Sequence, residues 1–315
     1  MASSAGTDGA RPAGAPRHGW LGPLCAVAGV LGFSFKAILV KLAYASGPVD
    51  GTTLLTLRMV YSAPLFGVLA WWAGRQPGAV RFERQDWLAL VGLGFVGYYL
   101  ASLLDFVGLQ YVTASLERLV LFVYPTIVVL LSAIFLNRPI TRRALGAVAL
   151  CYGGVALAFV HDANVGGDVR ATVTGGVLVF GSAVAYAVYL VCSGRTIARL
   201  GSLRFVAWAM LASTAFIFVH FALVRPLGAL DVAPRIHGLS IAMAVLSTVL
   251  PTWLIAESIR RLGANTASLI GSLGPVFTIG LGAWLLGEPV NATQVAGAAL
   301  VLAGVALVTV RPARR

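Results

Sequence analysis

The sequence predicts an all-α polytopic membrane protein with ten transmembrane helices, arranged as two inverted five-helix repeats. Three observations support this fold class. Hydrophobic residues make up 59% of the 315-residue chain and charged residues only 11%, whereas an ordinary soluble domain is about 25% charged. Apolar windows of about 20 residues, each long enough to cross a bilayer, follow one another along the chain. Short motifs of the first half also recur at a fixed spacing in the second half.

The predicted spans form two sets of five with short polar gaps between them. Their windows are residues 21–43, 54–73, 87–107, 114–136 and 144–161, followed by 175–194, 205–224, 238–257, 266–287 and 292–310. Residues 1–20 are rich in Ala, Gly, Pro and Ser and contain little apolar material to pack, so we expect a disordered tail. Residues 311–315 form a short basic tail.

The basic residues give the orientation of these spans. With a cytoplasmic N-terminus, sixteen of the 23 basic residues fall in inner segments, and only Arg170, Arg225 and Arg235 fall in outer loops. Short cytoplasmic loops carry an excess of Lys and Arg, so both termini are predicted to be cytoplasmic. The net charge of +12 follows from this topology. It predicts no nucleic-acid binding, because the arginines are scattered and form no basic surface.

A repeat of 150 residues relates the two sets of spans. Three anchors keep this offset: Pro125 and Pro275, Pro139 and Pro289, and Gly154 and Gly304. Because five is an odd number of crossings, two copies of the unit must enter the membrane in opposite orientations. Inverted repeats are typical of secondary transporters, whose solute binds near the midplane between the repeats. Pro125 and Pro275 each free a backbone carbonyl, and we expect either hinges or fixed kinks at these positions.

With these motifs the chain resembles the EamA-type branch of the drug/metabolite transporter superfamily. The resemblance extends from residue 21 to 310 and rests on the five-plus-five pattern, the Pro125 and Pro275 helices, Gly287-Glu288, and a last helix ending Leu302-Ala303-Gly304-Val305. It implies EamA-type repeats at 21–161 and 175–310, joined by an outer linker, 162–174. It also implies a ten-helix bundle in the bacterial inner membrane that moves small metabolites, often outward. The first repeat departs from the family pattern, because Asn137-Arg138 occupies the Gly-Glu position.

The only two lysines of the chain, Lys36 and Lys41, both lie in the first span. A lone charge at a helix centre costs roughly 2.5–3.5 kcal/mol, so it needs a partner, water or a route to the interface. Five residues apart, the lysines differ by about 140° around the helix and cannot share one partner. Lys36 is the deeper, and we expect it to be paired or to contact the solute. Lys41 either joins it or only anchors the outer end of its helix.

Further charges share the outer half of the first repeat with the lysines. They are Arg58, Asp105, Glu117 and Arg118. With the two lysines they form a candidate gate, which has three interpretations. It is a salt-bridge network that closes the outer side, a cationic vestibule that attracts an anionic group of the solute, or a set of ordinary interfacial residues at helix ends. On the inner side, Glu257 is either a gating or proton-coupling acid, or a helix-end glutamate neutralised by nearby arginines.

A polar and aromatic stripe on span six marks the predicted solute cavity. Ser182, Tyr186 and Tyr189 share one helix face, which corresponds in the repeat to the face of span one that carries Phe33 and Lys36. Such a stripe can equally serve helix–helix packing. The full set of candidate cavity residues is Phe33, Lys36, Tyr98, Ser182, Tyr186, Tyr189, Trp253 and Ser272.

These features predict a secondary active transporter that exports a small polar or amphipathic metabolite by alternating access. Its partners would be the solute and the lipid bilayer, and the state is either a monomer or a homodimer. The alternatives are a membrane-embedded enzyme and a transporter-like sensor without transport. The sequence has no P-loop, and its four histidines share no motif. We therefore expect no enzyme activity, no cofactor and no metal.

Overall fold

The computed structural model describes residues 20–76, 79–135 and 139–309, and these form a bundle of helices without a β-strand. The predicted tails lie outside these residues, apart from Trp20, and so do Asn137 and Arg138. The all-helical fold class predicted from the sequence is confirmed for the part of the chain that is described.

The described residues form ten helical segments, two of which are broken next to a proline. They are α1 (Leu21–Ala45), α2 (Gly51–Gly74), α3 (Arg84–Gly108), α4a (Ala114–Leu121) with α4b (Tyr124–Phe135), α5 (Arg142–Gly166), α6 (Val169–Leu200), α7 (Ser202–Val224), α8 (Pro234–Leu262), α9a (Ala264–Gly271) with α9b (Gly274–Leu281), and α10 (Ala292–Thr309). A π-helical turn, Gly282–Leu286, continues α9b. The main apolar core contains fully buried Ile38, Leu54, Met59 and Phe66.

Within the described ranges, nine helical stretches are long and apolar enough to cross a membrane, and α10 is a shorter apolar helix. The helices coincide with the predicted windows but extend beyond most of them. The predicted outer linker, residues 162–174, is helical except at Gly167 and Asp168. Gly167 ends α5 in the left-handed conformation, with φ 69°. The Asp168 side chain accepts a hydrogen bond from the amide of Ala171 and so caps α6.

Irregular turns recur at the offset of 150 residues. Helix α4b begins at Tyr124 and α9b at Gly274, so each break lies just before one of the two prolines. A π-helical segment begins at Phe95 in α3 and another at Val245 in α8. Because π-turns are rare and usually mark functional positions, two π-helical segments that start 150 residues apart support the repeat. The break before the proline and the first π-helical segment thus recur in both halves, whereas the π-helical turn Gly282–Leu286 has no counterpart in α4b, which is α-helical to Phe135.

Helices α5 and α10 pack closely and antiparallel through glycines. A methyl group on Gly154 would lie 2.4 Å from the carbonyl oxygen of Gly297, and one on Gly304 would lie 2.7 Å from that of Ala147. The helices are antiparallel because residue numbers rise along α5 while the numbers of their partners fall along α10. Backbone approaches of this kind are common where small residues line a membrane helix interface.

Gly154→Ala should destabilise the protein by about 1–3 kcal/mol, because the added methyl group meets backbone atoms that cannot move aside. Gly153 is the matched control, since no atom lies within 4 Å of a methyl group at that position. Alanine there should stabilise the helix by up to about 0.8–1 kcal/mol. Thermal unfolding of both purified variants in detergent should shift in opposite directions. A shift in the same direction would contradict the glycine contact.

Candidate functional site

Lys36 of α1 lies between two buried carboxylates. Its Nζ is 2.5 Å from Oδ2 of Asp105 in α3 and 2.9 Å from Oε1 of Glu117 in α4a. The Glu117 side chain is fully buried, that of Asp105 is 4% exposed and that of Lys36 is 17% exposed. Charges this deep are tolerated when they satisfy one another. We call these three residues the charge triad, and they join three helices.

The charge triad is only partly satisfied by hydrogen bonds. Oδ1 of Asp105 and Oε2 of Glu117 are buried without a hydrogen-bond partner among the described residues. Two carboxylates therefore depend on one ammonium group. A site of this kind is sensitive to the loss of its single cation, because the anions cannot turn to water.

Arg58 of α2 lies beside the charge triad without joining it. The residue is 6% exposed, and its Nη2 donates to Oγ of Ser102 at 3.2 Å. Its guanidinium carbon lies 4.8 Å from the centre of the Phe106 ring, a cation–π distance. Ser102 and Phe106 flank Asp105 on α3, so Arg58 is held next to that carboxylate and outside salt-bridge range.

Arg118 faces the second half of the chain, although it directly follows Glu117. A methyl group on Gly274 would lie 2.8 Å from its Nη2, so the guanidinium rests against the start of α9b. Its Nε is buried and has no hydrogen-bond partner in the described part of the protein. Arg118 is thus a half-buried cation at the contact between α4a and α9b, close to both helix breaks.

Lys41 is separate from the charge triad. Its Nζ donates to the carbonyl oxygen of Leu109 at 3.1 Å, where α3 ends. A cation at a helix C-terminus is favoured by the helix dipole. Lys41 therefore anchors the end of α3 rather than only that of its own helix, and the two lysines have different partners as the helix geometry requires.

Glu288 connects the two halves of the chain. We call the end of the bundle that holds Glu288 the outer end, following the predicted orientation. The carboxylate accepts hydrogen bonds from the amides of Ala114 and Ser115 at 2.7 and 3.2 Å, and from Oγ of Ser115 at 2.7 Å. The first amides of α4a have no acceptor within their own helix, so Glu288 caps α4a from the other half. Gly287-Glu288 is one of the motifs of the sequence, but Glu288 was not among the predicted site residues.

Asp162, which the sequence analysis missed, also holds the start of α4a. Its carboxylate accepts from the amide and the hydroxyl of Thr113 at 3.1 and 2.5 Å, and the Thr113 hydroxyl in turn caps α4a. Asp162 lies near the end of α5, so this contact stays within the first half of the chain. Only the fold brings the two carboxylates of Asp162 and Glu288 to the same helix end.

Asp50 caps α2 at the outer end. It accepts hydrogen bonds from the amides of Thr52 and Thr53, and it lies 3.2 Å from Nε of Arg225. Partial burial acts to raise the pKa of Asp50, but the hydrogen bonds and the nearby guanidinium hold that pKa below its ordinary value.

Four tyrosines, which we call the tyrosine cluster, meet between α3, α4b and α6. The hydroxyls of Tyr98 and Tyr189 are 2.9 Å apart. The ring of Tyr186 stacks on that of Tyr189, with centroids 5.5 Å apart, and Tyr124 meets Tyr186 edge to face at 5.2 Å. Gly97 makes room, since a methyl group there would lie 2.4 Å from Cγ of Tyr189. Tyr124 was missed by the sequence analysis, although it precedes Pro125.

Two serines predicted in the cavity instead bond to backbone. Ser182 is 3% exposed and donates to the carbonyl oxygen of Ala101 at 2.7 Å, which ties α6 to α3. The Ser182 hydroxyl thus serves helix packing here, and a contact of Ser182 with the solute stays a prediction. Ser272 donates to the carbonyl oxygen of Leu269 at 2.6 Å, at the break of α9. Phe33 is half-buried on α1.

Trp253 lies apart from the charge triad and the tyrosine cluster. It lines an apolar groove of 340 Å³ between α2 and α8, together with Trp71 and Trp72. All three tryptophans are more than 40% exposed, as expected for aromatic residues at a membrane surface. The structure therefore does not bring Trp253 to the other predicted cavity residues.

Ion pairs also mark the end of the bundle opposite Glu288. Glu257 lies 2.5 Å from Nη2 of Arg260 and 2.6 Å from Nε of Arg261, which matches the interpretation of a neutralised helix-end glutamate. Arg199 at the end of α6 pairs with Asp86 and with Glu83 near the start of α3. The sequence analysis missed this second contact. No group of three or more His, Cys, Asp or Glu that could hold a metal occurs in the described ranges.

Apolar helices around a partly buried polar interior define a multi-pass membrane protein with the build of a transporter. The model of the EamA-like transporter family matches residues 20–160 and again residues 173–310. The chain belongs to this family. It is therefore a membrane transporter rather than an enzyme, and the prediction of an EamA-type member of the drug/metabolite transporter superfamily is confirmed.

Named relatives agree with this assignment. The chain is 31% identical over 288 residues to "Uncharacterized transporter YcbK" of Bacillus subtilis, covering 89% of this chain and 90% of that protein. It is 25% identical to "Threonine/homoserine exporter RhtA" of Salmonella typhimurium, covering 90% of each. It is 28% identical to the "Probable terminal-alkyne amino-acid exporter" of Streptantibioticus cattleyicolor, covering 75% and 77%. One solved crystal structure matches with a TM-score of 0.61 at 20% identity, covering 91% of this chain and 96% of that chain, and supports the fold alone.

Proposed function

We propose that this protein is a secondary active exporter of a small polar or amphipathic metabolite. It works by alternating access in the bacterial inner membrane, between inverted repeats at residues 21–161 and 175–310 with both termini cytoplasmic. The observation that carries the proposal is the joint between the halves, where the outer parts of two broken helices, α4a and α9b, pack against each other.

Reciprocal contacts between α5 and α10 support inverted repeats. Sγ of Cys151 lies 3.6 Å from the carbonyl oxygen of Val301, which is 150 residues later. Gly154 packs on Val301, and Gly304, 150 residues after Gly154, packs on Cys151. Exchanged contacts of this kind indicate a twofold axis. Because α5 and α10 are antiparallel, a twofold axis that relates them is perpendicular to both helices, as inverted repeats require.

The contacts at the joint support a state that is closed at the outer end. Arg118 rests on Gly274, and a methyl group on Gly282 would lie 3.3 Å from Oγ of Ser115. Glu288 adds its cap across the same joint. The inner parts have other neighbours, since α9a packs on α1, α8 and α10, and α4b packs on α5, α6 and α10. Opening the outer end would thus require α4a to separate from α9b and Glu288.

In this mechanism the charge triad keeps the first repeat together while the joint opens and closes. Lys36, Asp105 and Glu117 fix α1, α3 and α4a to one another, which favours the interpretation as a salt-bridge network over that of a cationic vestibule. The tyrosine cluster offers ring surfaces and hydroxyls together, as an amphipathic solute needs. The names of two relatives, which refer to amino-acid export, support an amino acid as the solute.

Counterflow into proteoliposomes tests the proposal. Purified protein is reconstituted, the vesicles are loaded with unlabelled L-threonine, L-homoserine or L-phenylalanine, and uptake of the same labelled amino acid is measured. We expect saturable uptake of at least one amino acid, several-fold above protein-free vesicles. Folded protein that exchanges none of the three would contradict the amino-acid assignment, and lack of flux for a broad metabolite panel would favour a sensor.

A further inference from the structure

One of the four cations that lie within the predicted spans has no hydrogen-bond or ion-pair partner among the residues that the structure describes. Lys36 forms ion pairs in the charge triad, and Lys41 donates a hydrogen bond to the end of α3. Arg58 donates a hydrogen bond to a serine and lies over a phenyl ring. Arg118 has neither a hydrogen bond nor a carboxylate within salt-bridge distance among the residues described, and its Nε is buried. Since arginine stays charged, this guanidinium requires an anion or water.

The position of Arg118 at a helix N-terminus favours an anion. Helix α9b begins at Gly274, directly beside the guanidinium. Hydroxyls of Ser34 and Thr278 both donate to the carbonyl oxygen of Gly274, each at 3.1 Å, and so fix this helix end. The N-terminal end of a helix carries partial positive charge. Arg118 itself stands in the last turn of α4a, where the helix dipole favours a cation. A carboxylate bound between its guanidinium and the start of α9b would also meet the positive end of that second helix.

The tyrosine cluster borders this position. Tyr124 begins α4b, directly after the break that ends α4a, the helix that carries Arg118, and its ring meets that of Tyr186 edge to face. Whereas Tyr98 and Tyr189 bond to each other, the hydroxyls of Tyr124 and Tyr186 have no hydrogen-bond partner in the described part of the chain. A ligand there would meet a guanidinium at one side and aromatic rings with free hydroxyls at the other.

We propose that Arg118 binds the carboxylate of the transported solute, while Tyr124 and Tyr186 contact its less polar part. The ligand class is a small amphipathic carboxylate, of which α-amino acids are the example that fits the relatives. A guanidinium binds a carboxylate through two parallel hydrogen bonds, which a lysine at this place would not reproduce. This inference rests on the proposed export function and adds the recognition group.

Ligand-induced thermal stabilisation of the purified full-length protein in detergent tests the site. The probes are 3-phenylpropanoate, L-phenylalanine and L-phenylalaninamide, the last of which keeps ring and ammonium but lacks the carboxylate. We expect the two carboxylates to raise the unfolding temperature of the wild type in a concentration-dependent way, and the amide to have no such effect. Arg118→Gln should weaken carboxylate binding roughly tenfold or more, and Arg118→Lys should retain part of it.

Gly274→Ala is a second variant that keeps the Arg118 guanidinium. It tests the same site if Arg118→Gln fails to fold. Its methyl group would lie 2.8 Å from Nη2 and push aside a flexible side-chain end, so binding should weaken while the fold persists. Arg235→Gln, at an exposed position at the start of α8, is the matched control and should bind like the wild type.

Several outcomes would overturn the proposal. These are wild-type affinity in Arg118→Gln and Gly274→Ala, equal stabilisation by the amide, or no stabilisation by either carboxylate at millimolar concentration. Counterflow separates this inference from the export function. Arg118-dependent binding without flux in any vesicle would keep the site and reject the exporter, whereas undiminished flux in Arg118→Gln would reject the site and keep the exporter.

Discussion

Lys36→Met should lower the free energy of unfolding by about 3–5 kcal/mol, because removing one partner of a buried ionic group leaves uncompensated charge. Asp105 and Glu117 would then have no ion-pair partner among the described residues, at side-chain exposures of 4% and 0%, since Arg58 lies outside salt-bridge range of Asp105. Unfolding of the purified variant in detergent, followed by heat or denaturant, measures this loss. Counterflow should be lost as well, since the first repeat would no longer hold α1, α3 and α4a together.

Two further variants give the control for this prediction. Lys41→Met removes one hydrogen bond to the Leu109 carbonyl, at a half-buried position, and should cost only about 1.5 kcal/mol. The triple variant Lys36→Met/Asp105→Leu/Glu117→Met replaces the whole charged group by apolar side chains of similar size, and such replacements are often close to neutral for stability. Its free energy of unfolding should return most of the way to the wild-type value, but transport should stay absent. Equal losses for the two lysines, or full transport in the triple variant, would contradict the assigned role of the charge triad.

Depth in the membrane could be predicted from the sequence, because it follows from counting residues along a helix. Lys36, Asp105 and Glu117 were all predicted to lie in the outer half of the first repeat, with Lys36 deeper than the two acids, and the structure brings them together. Rotation of each helix about its axis could not be predicted as well. A membrane helix is apolar on its lipid face and on its packing face, so the periodicity that orients a soluble amphipathic helix is weak. For this reason Trp253 was assigned to the cavity.

Contacts between helix ends that are distant in sequence could not be predicted either. A capping residue is recognisable in sequence when it stands just before its helix, as Thr113 does before α4a. Asp162 and Glu288 act on the same helix end from elsewhere in the chain, which only the fold reveals. Arg118 shows the same limit, because its neighbour Gly274 is distant in sequence. The repeat offset of 150 residues, in contrast, can be read from the sequence itself. Both helix breaks and the π-helical segments of α3 and α8 follow this offset.

Glu288→Ala should release the outer end of the bundle. Three hydrogen bonds to one carboxylate would be lost, two from the first amides of α4a and one from Ser115 Oγ. We expect a cost of about 2–3 kcal/mol, which corresponds to a roughly 30- to 150-fold shift in the closing equilibrium. Hydrogen exchange of the Ala114 and Ser115 amides should accelerate accordingly. Glu288→Gln should have a smaller effect, because its amide oxygen still accepts hydrogen bonds but carries no charge.

Asp162→Asn is the matched control, since Asp162 holds the same helix end from within the first half. It should speed exchange at Thr113 without favouring an open outer end, because α4a and α9b remain joined by Glu288. The corresponding position of the first repeat is Arg138, and arginine has no acceptor with which to cap a helix. In the part of the chain that the structure describes, the Glu288 lock has no counterpart in the other repeat, which would bias the resting protein towards outer closure. Equal opening in the Asp162 and Glu288 variants would show that capping alone, and not the contact between repeats, holds the outer end closed.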